Sequence, residues 1–437
     1  MEAILTSSQA DTDVLPPNLK YGLDPSGSFV VARREATTYT LGSSYSPAGV
    51  KMLQYTFGSS AEWLVPEILF SADFQNLDAV HAAWPATPDA NCLFERIDIR
   101  CGGTLIESVT ESARCNSLFT QLTMSPQKKI NLAQLGFGTA IPTAEPDWSA
   151  AANHEAMTIP ASGTKRIHWR CNLSGLLSQH RWLPLFALGE GTGLTVSFYL
   201  APVDESLIKN FGGTTYSQSY ILKECKAFSS MITLDSELQE NYNAALISGN
   251  SLKIPIKSIE SMWSYLANST VSGKCDIPMS RSYTRLSALF ATFVQEPPAS
   301  GDGKVKLCNS FYVHAGSAET LSYSLQMGTR RVPDNDSVGF GEAWYRLLNC
   351  VGIQGSLAHS TGITYSDYST SSFCIGISTE KIPHLASTGE NLSNTSTIFL
   401  RMKGWGTTAA DLPSRCHLIS EFDNVVEIRD TTVELFT

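Results

Sequence analysis

The sequence is poor in charge. Lys, Arg, Asp and Glu make up 16% of its 437 residues, against about 25% in an average soluble protein. Hydrophobic residues reach 43% and aromatic residues 10%, which is enough apolar material for a core and argues against a disordered chain. Ser and Thr together account for 90 residues. This composition indicates a β-rich protein whose surface is polar through hydroxyl groups rather than through charge.

Basic residues are scarce. The chain has 31 Lys and Arg against 41 Asp and Glu, for a net charge of −10. Its first 30 residues contain one base, Lys20, and four acids. Proteins that coat nucleic acid neutralise phosphates with clustered Lys and Arg. We therefore expect no direct coating of a genome by this chain and no sequence-specific nucleic-acid contact.

Long apolar runs are absent. The densest apolar windows, 63–70 and 182–188, fall far short of the ~18 residues that would span a bilayer. The N-terminal sequence shows no basic segment followed by an apolar one, so we expect no secretory signal.

Motifs of catalysis and metal binding are missing. The sequence contains no nucleophile elbow, HExxH pair, P-loop or dinucleotide-binding glycine motif. The eight histidines include no His-x-His pair, and their spacing suggests no metal-ligand set. The ten cysteines include no CxxC pair, and we predict that they are reduced and mostly buried. We therefore predict no catalytic, cofactor-binding or metal-binding residue.

Two patterns imitate a functional site. Residues 334–339 begin like a calcium loop, but the fifth position is Val338 and the twelfth is Tyr345, where calcium loops carry oxygen ligands. We interpret this segment as a turn whose Asp336 or Ser337 caps the following helix. Paired carboxylates could serve a glycosidase, although a solvated face explains each of the candidates equally well. These candidates are Asp73, Asp98, Glu342 and Glu380.

Strand-like runs dominate the sequence. Many alternate with a period of two, as half-buried antiparallel strands do, and clusters of Gly, Pro, Ser and Asp separate them. In the run 93–101, the alternation places Leu93 and Glu95 on the predicted core face and Phe94 on the opposite face. The runs are 28–33, 50–57, 67–74, 93–101, 165–171, 194–201, 220–228, 251–263, 285–294, 305–314, 320–327, 372–377, 396–404 and 425–430.

Three amphipathic helices interrupt these runs, at 108–124, 234–249 and 339–352. The first follows a double glycine and is predicted to end before Pro126. The second has Asp235 or Ser236 as its N-cap and Gly249 as its stop.

The two halves of the sequence repeat this order of elements. The closing strands 194–201 and 396–404 lie 202 residues apart, and identity between the halves is negligible. Eight or so strands with one crossover helix in each half favour jelly rolls. We therefore predict an all-β fold of two tandem eight-stranded jelly-roll barrels with a few short helices, joined near 203–218. The predicted division is an N-terminal extension (1–27), a first barrel (28–210), a second barrel (211–404) and C-terminal strands with a tail (405–437).

One segment, 93–125, combines a strand, a double glycine, an Ile-Glu pair and a helix with an asparagine near its middle. In this order it resembles the first barrel of double jelly-roll major capsid proteins of polinton-like viruses and virophages. The residues that carry this resemblance are Arg96, Gly102, Gly103, Ile106, Glu107 and Asn116.

Three more segments resemble the same family in the same order. They are 165–202 with Leu183-Pro184-Leu185, 220–256 with a Leu-x-Ile-Pro strand, and 372–404 with a Ser-x-Gly-x-Asn turn at Ser387, Gly389 and Asn391. Together the four segments cover most of residues 28–404 at low identity, and 1–27 and 405–437 do not align.

The resemblance implies a major capsid protein of a double-stranded DNA virus, located in the virion capsid and assembled inside the host cell. It implies a homotrimer that forms a pseudo-hexameric capsomer of an icosahedral shell and carries no catalytic residue. The implied partners are neighbouring capsomers and penton and minor capsid or cement proteins, and an internal membrane stays an open question. A tandem β-sandwich that binds or processes carbohydrate is the alternative, since the abundant Trp and Tyr would suit a lectin.

Overall fold

The computed structural model describes residues 30–58, 60–138, 157–188, 193–211, 214–266, 274–281, 283–294, 307–309, 311, 318–353, 361–370, 372–382, 388–393, 398–405, 413–429 and 432–436. Every structural statement below concerns these residues. The predicted segments 1–27 and most of 305–314 lie outside them.

The first half of the chain supplies thirteen of the described strands. They are β1 (Val30–Tyr39), β2 (Ser44–Tyr45), β3 (Met52–Phe57), β4 (Trp63–Leu64), β5 (Leu69–Asn76), β6 (Phe94–Cys101), β7 (Thr104–Thr110), β8 (Thr164–Trp169), β9 (Leu183–Pro184), β10 (Leu194–Leu200), β11 (Asn210–Phe211), β12 (Thr214–Thr215) and β13 (Tyr220–Leu234).

The first barrel is a sandwich of two antiparallel sheets. One sheet runs in the order β8-β5-β13-β1, with β2, β4 and β9 as short additions. The opposite sheet runs in the order β3-β10-β6-β7. The first barrel therefore has eight principal strands.

The second half supplies β14 (Leu252–Tyr265), β15 (Cys275–Pro278), β16 (Leu286–Val294), β17 (Ser322–Met327), β18 (Arg330–Val338), β19 (Ile375–Ser378), β20 (Ile398–Lys403), β21 (Arg415–Arg429) and β22 (Thr432–Phe436). The second barrel has the sheets β19-β16-β21-β14 and β15-β20-β17-β18, with β22 added beside β21. Strand for strand, this is the topology of the first barrel. The prediction of two tandem eight-stranded jelly rolls is confirmed.

The sheets separate the barrels later in the chain than the sequence predicts. Strand β13 was predicted to open the second barrel, but it pairs with β1 and β5 of the first. It is the last strand of that barrel, and β14 opens the next. Segment 203–218, predicted to be a linker, carries buried Ser206, Leu207 and Ser217. Strand β13 ends at Leu234, and the next long strand, β14, begins at Leu252.

Helices fill the crossovers. They are α1 (Ser112–Thr123), α2 (Pro126–Leu135), α3 (Gly175–Ser178), α4 (Val203–Ser206), α5 (Ser236–Ile247), α6 (Gly339–Val351) and α7 (Tyr365–Thr370), with short 3-10 turns at Ala90–Leu93 and Leu185–Ala187. Asp235 caps α5 as predicted, through its carboxylate and the Glu237 N–H. Helix α1 ends at Thr123, before Pro126 as predicted. Pro126 then starts α2, with Ser125 as N-cap, since Pro is favoured in the first turn.

Two local features of β6 depart from simple alternation. Gly102 and Gly103 have φ of 56° and 88° and form the two-residue turn of a β6–β7 hairpin, so a strand separates them from the helix. At the other end of β6, a bulge shifts its register against β10. Tyr199 pairs with Arg96, but the next residue, Leu200, pairs with Phe94. The bulge turns Phe94 into the core and leaves Glu95 exposed, the reverse of the predicted faces.

Candidate assembly site

The two barrels contact each other along a surface that is here called the barrel junction. Edge strand β7 of the first barrel lies beside edge strand β14 of the second. The Thr110 hydroxyl donates to the Ser261 carbonyl at 3.0 Å, and the Ser261 hydroxyl donates to the Thr110 carbonyl at 2.7 Å. Side chains thus satisfy edge groups that would otherwise invite a further strand.

Glu107, on β7, holds the centre of the junction. Its side chain is buried and accepts hydrogen bonds from Ser174 Oγ, from the Gly175 N–H at 2.9 Å and from the Leu176 N–H at 3.2 Å, all in the first half of the chain. It also accepts one from Ser258 Oγ of β14 at 3.1 Å. Burial raises the pKa of Glu107, and the hydrogen bonds oppose that rise. One carboxylate therefore ties both barrels to the start of α3.

A close backbone approach accompanies this carboxylate. A Cβ at Gly175 would lie 2.2 Å from the Lys257 carbonyl oxygen of β14. The two chain segments can approach this closely only because residue 175 has no side chain.

Arg114, on α1, provides a second polar link. Its buried guanidinium donates to the Leu307 carbonyl at 3.0 Å. It also lies 5.4 Å from the ring centroid of Trp263 and 5.8 Å from that of Phe311, within the range of cation–π contacts. Burial lowers the pKa of Arg114, whereas Glu111 and Glu205 act in the opposite sense.

Apolar residues cross the junction in both directions. Cys115, Leu118 and Leu122 of α1 belong to the hydrophobic cluster of the second barrel. Ile254 and Ile256 of β14 belong to the cluster of the first barrel. Each half of the chain therefore contributes side chains to the core of the other barrel, and the two barrels are packed against each other.

Residues carrying the family resemblance lie at or beside this junction. The Asn116 amide donates to the Asp89 carboxylate at 2.7 Å, which also caps the 3-10 turn at Ala90–Leu93. Arg96 pairs with buried Asp98 at 2.7 Å and lies over the Tyr199 ring. Of the turn Ser387, Gly389 and Asn391, Ser387 lies outside the described residues. The motif residues in β6, β7 and α1 thus have structural roles.

The patterns that imitated a site have structural explanations. Residues 334–337 form part of β18 and not a turn, and Asp336 pairs with Arg331 and with Lys403. Helix α6 has Val338 at its N-cap without a side-chain cap, and the Glu342 carboxylate accepts from the Val338 N–H at 2.8 Å. The predicted cap by Asp336 or Ser337 is therefore wrong.

The four candidate carboxylates have separate partners. Asp73 pairs with Arg166, Asp98 with Arg96, Glu342 with Arg346 and Glu380 with Lys257. Within the described ranges, no group of three or more His, Cys, Asp or Glu side chains could hold a metal ion, and His154, His314, His359 and His384 lie outside them. All ten cysteines are free thiols and eight are buried, in agreement with the prediction. None of the helices described has the length and apolar composition of a membrane span.

Glu205 gives the first barrel a pH-sensitive stability. Burial, reinforced by Glu111, raises its pKa to about 7. Because this value lies above the ordinary one, protonation stabilises the fold, and that stabilisation is lost as the pH rises through about 7. We expect the melting temperature to fall as the pH rises from about 4.5 to about 7 and to level off above that value, and Glu205→Gln to flatten that slope. Differential scanning fluorimetry measures both. Glu240→Gln, on the exposed face of α5, is the control and should keep the wild-type slope. If Glu205→Gln also kept the wild-type slope, the pH dependence would not arise from Glu205.

Two jelly rolls in one chain, packed against each other at the barrel junction, define this protein as a double jelly-roll protein. No family model matches the sequence, and no curated protein matches it. Solved structures do match, at low identity. PBCV-1 VP54, fitted into a reconstruction of the virophage Sputnik, has a TM-score of 0.63 and 12% identity, and the alignment covers 93% of this chain and 96% of that one.

Two further structures extend the similarity. A structure of the Sputnik virophage contains a chain with a TM-score of 0.60 and 8% identity, with 98% of this chain and 93% of that one covered. The Faustovirus major capsid protein has a TM-score of 0.60 and 8% identity, with 95% and 93% covered. These similarities extend over nearly the whole chain and confirm the predicted fold. The carbohydrate-related alternative gains no support from them.

Proposed function

We propose that this chain is a major capsid protein of an icosahedral double-stranded DNA virus. The observation that carries the proposal is the pair of topologically equivalent barrels fixed side by side by the barrel junction. Three such chains supply six similar barrels, and six similar wedges can close into a ring with a pseudo-hexagonal outline. Full-length similarity to a protein named as a major capsid protein supports the same conclusion.

The proposed role is structural and requires no catalytic step. The chain's partners are two copies of itself in a trimeric capsomer, then neighbouring capsomers, penton proteins and minor or cement proteins in the virion. With 31 basic against 41 acidic residues, we propose no direct sequence-specific contact with the genome. Neutralisation of packaged DNA then falls to other molecules, or an internal membrane separates the DNA from the shell.

The mass in solution tests this proposal. The chain has a mass of 47.5 kDa, so light scattering after size exclusion should give about 140 kDa, three times that value. A stable monomer at micromolar concentration would overturn the proposed function.

The separation of the barrels is also testable. We propose that the division lies between β13 and β14, where α5 is the connecting element and has only Leu246 buried among its residues. Limited proteolysis should cut in or near 236–247 before either barrel. First cleavage at 203–218 would instead support the earlier boundary.

A further inference from the structure

The two barrels present equivalent elements at their edges. In the first barrel, β1 is the outer strand of one sheet and β7 that of the other. In the second barrel, β14 and β18 hold these positions. Both β7 and β18 lead into a crossover helix through a residue in the left-handed region, Glu111 with φ of 50° and Gly339 with φ of 76°. Strands β7 and β14 meet at the barrel junction. In the other barrel, the counterpart of β7 is β18, and the counterpart of β14 is β1.

The counterparts differ in what covers them. Helix α1 beside the junction has eight buried residues, whereas its counterpart α6 has three. Strand β14 buries four side chains and β1 buries none. In the described part of the chain, β1 pairs only with β13 and β18 only with β17. Among the described residues, these structural positions are therefore covered at the barrel junction and uncovered at the two outer flanks.

Exposed apolar side chains mark both flanks. On the β1 side, Val31 is 65% exposed, Tyr39 61% and Leu41 96%. On the β18 side, Val338 is 54% exposed and Tyr345, on α6, is 56% exposed. Apolar groups clustered at an unpaired strand edge mark a protein contact more often than a free surface.

We propose that the β18–α6 flank of one chain binds the β1 flank of a second copy and reproduces the β7–β14 contact between chains. The inference rests on the proposed capsomer, because a ring of six barrels alternates the contact within a chain with this contact between chains. The interface is heterologous, and the alternation closes at three copies.

The strand registers place specific residues in this interface. Thr110 is the last residue of β7 and pairs with Arg96, and Val338 is the last of β18 and pairs with Ser322. Val338 therefore corresponds to Thr110.

On the opposite flank, Thr38 pairs with Ala227 of β13, which pairs in turn with Phe70 of β5. In the second barrel, Ile259 of β14 pairs with Glu421 of β21, which pairs in turn with Ala288 of β16. Phe70 and Ala288 each lie six residues before the end of their strands. Thr38 therefore corresponds to Ile259, and Thr40 corresponds to Ser261, each two residues further along. Because these strands contain bulges, the correspondence holds to within about one residue. Val338 of one chain should therefore lie beside residues 39–41 of the next.

Cysteine cross-linking tests this geometry in the full chain. A 1:1 mixture of Val338→Cys and Leu41→Cys proteins, refolded together and treated with a short bismaleimide, should give a new band at twice 47.5 kDa on a denaturing gel. The double variant should give bands up to three times that mass. Val338→Cys with Val80→Cys, whose residue 80 is 77% exposed on a loop outside β1, is the matched control and should give neither. Each single variant is treated with the same bismaleimide on its own. Any band that it gives comes from the native, half-buried Cys275 and Cys350 or from two copies of the new cysteine.

A pair within one chain calibrates the chemistry. Thr110→Cys with Ser261→Cys joins positions whose hydroxyl oxygens are 3.0 Å apart and should take up one linker per chain without a change of band. If that pair couples and the protein is a trimer, but Val338→Cys and Leu41→Cys stay unlinked, the proposed interface is wrong and the proposed function stands. If the protein is a monomer, both are wrong.

Discussion

Glu107→Ala should lower the free energy of unfolding by about 3–5 kcal/mol, because several buried donors lose their acceptor at a cost of about 1–3 kcal/mol each. The substitution leaves four donors without their acceptor, namely Ser174 Oγ, the Gly175 and Leu176 N–H groups, and Ser258 Oγ. Ser174, Leu176 and Ser258 are buried and Gly175 is half-buried. Chemical denaturation at one fixed protein concentration measures the change, since assembly adds a concentration-dependent contribution.

Two further variants calibrate this result. Ser258→Ala removes one of the four donors to the carboxylate and the acceptor of the Asn424 amide, so we expect a smaller loss of about 1–2 kcal/mol. Glu240→Ala removes an exposed glutamate from α5 and should stay within about 0.5 kcal/mol of wild type. If Glu107→Ala unfolded as late as Glu240→Ala, Glu107 would not be the central link between the barrels.

Arg114→Ala should cost a similar amount, about 3–5 kcal/mol, from the loss of a charged hydrogen bond of about 1.5–3 kcal/mol and of cation–π contacts of up to about 2 kcal/mol. It leaves the Leu307 carbonyl without this donor and removes the guanidinium from the faces of Trp263 and Phe311. Arg114→Lys keeps the charge but not the flat, delocalised cation, so its loss should be smaller, about 1–2 kcal/mol.

The matched control for Arg114 is Arg100→Ala. Arg100 lies exposed on β6, and its replacement should change stability by less than about 0.5 kcal/mol. The expected order of stability is wild type and Arg100→Ala, then Arg114→Lys, then Arg114→Ala. Equal stability of Arg114→Ala and Arg100→Ala would contradict the role assigned to the buried guanidinium.

Much of the fold could be predicted because the strands of a two-sheet sandwich carry their own pattern. Segments such as 194–201 and 285–294 are strongly apolar, and their turns are rich in Gly, Pro and Ser. The repeat of strand and helix order across the two halves identified the jelly rolls without any identity between them.

The errors arose where tertiary contacts override local pattern. Residues 334–337 look like a turn, but pairing with β17 and the bonds of Asp336 to Arg331 and Lys403 hold them in a strand. Strand β13 follows a Gly-Gly segment that resembles a linker, yet its partners β1 and β5 lie almost 200 and 150 residues earlier in the chain. Such long-range pairing leaves no local signal.

The junction residues show the same limit. The family resemblance points to Glu107 and Asn116, whereas nothing in the sequence pattern assigns a role to Arg114. A basic residue in an amphipathic helix normally faces solvent. Only the packing of a second barrel against α1 turns that face into an interior one. A signal was available in the sequence: α1 has few charges on any face, which is typical of a helix covered all round.

The ring of six barrels is the central claim, and electron microscopy of the purified protein tests it most directly. Class averages viewed down the threefold axis should show a closed ring of six similar lobes around one centre, two from each chain. Particles with only two lobes, or open chains of lobes that never close, would contradict the claim.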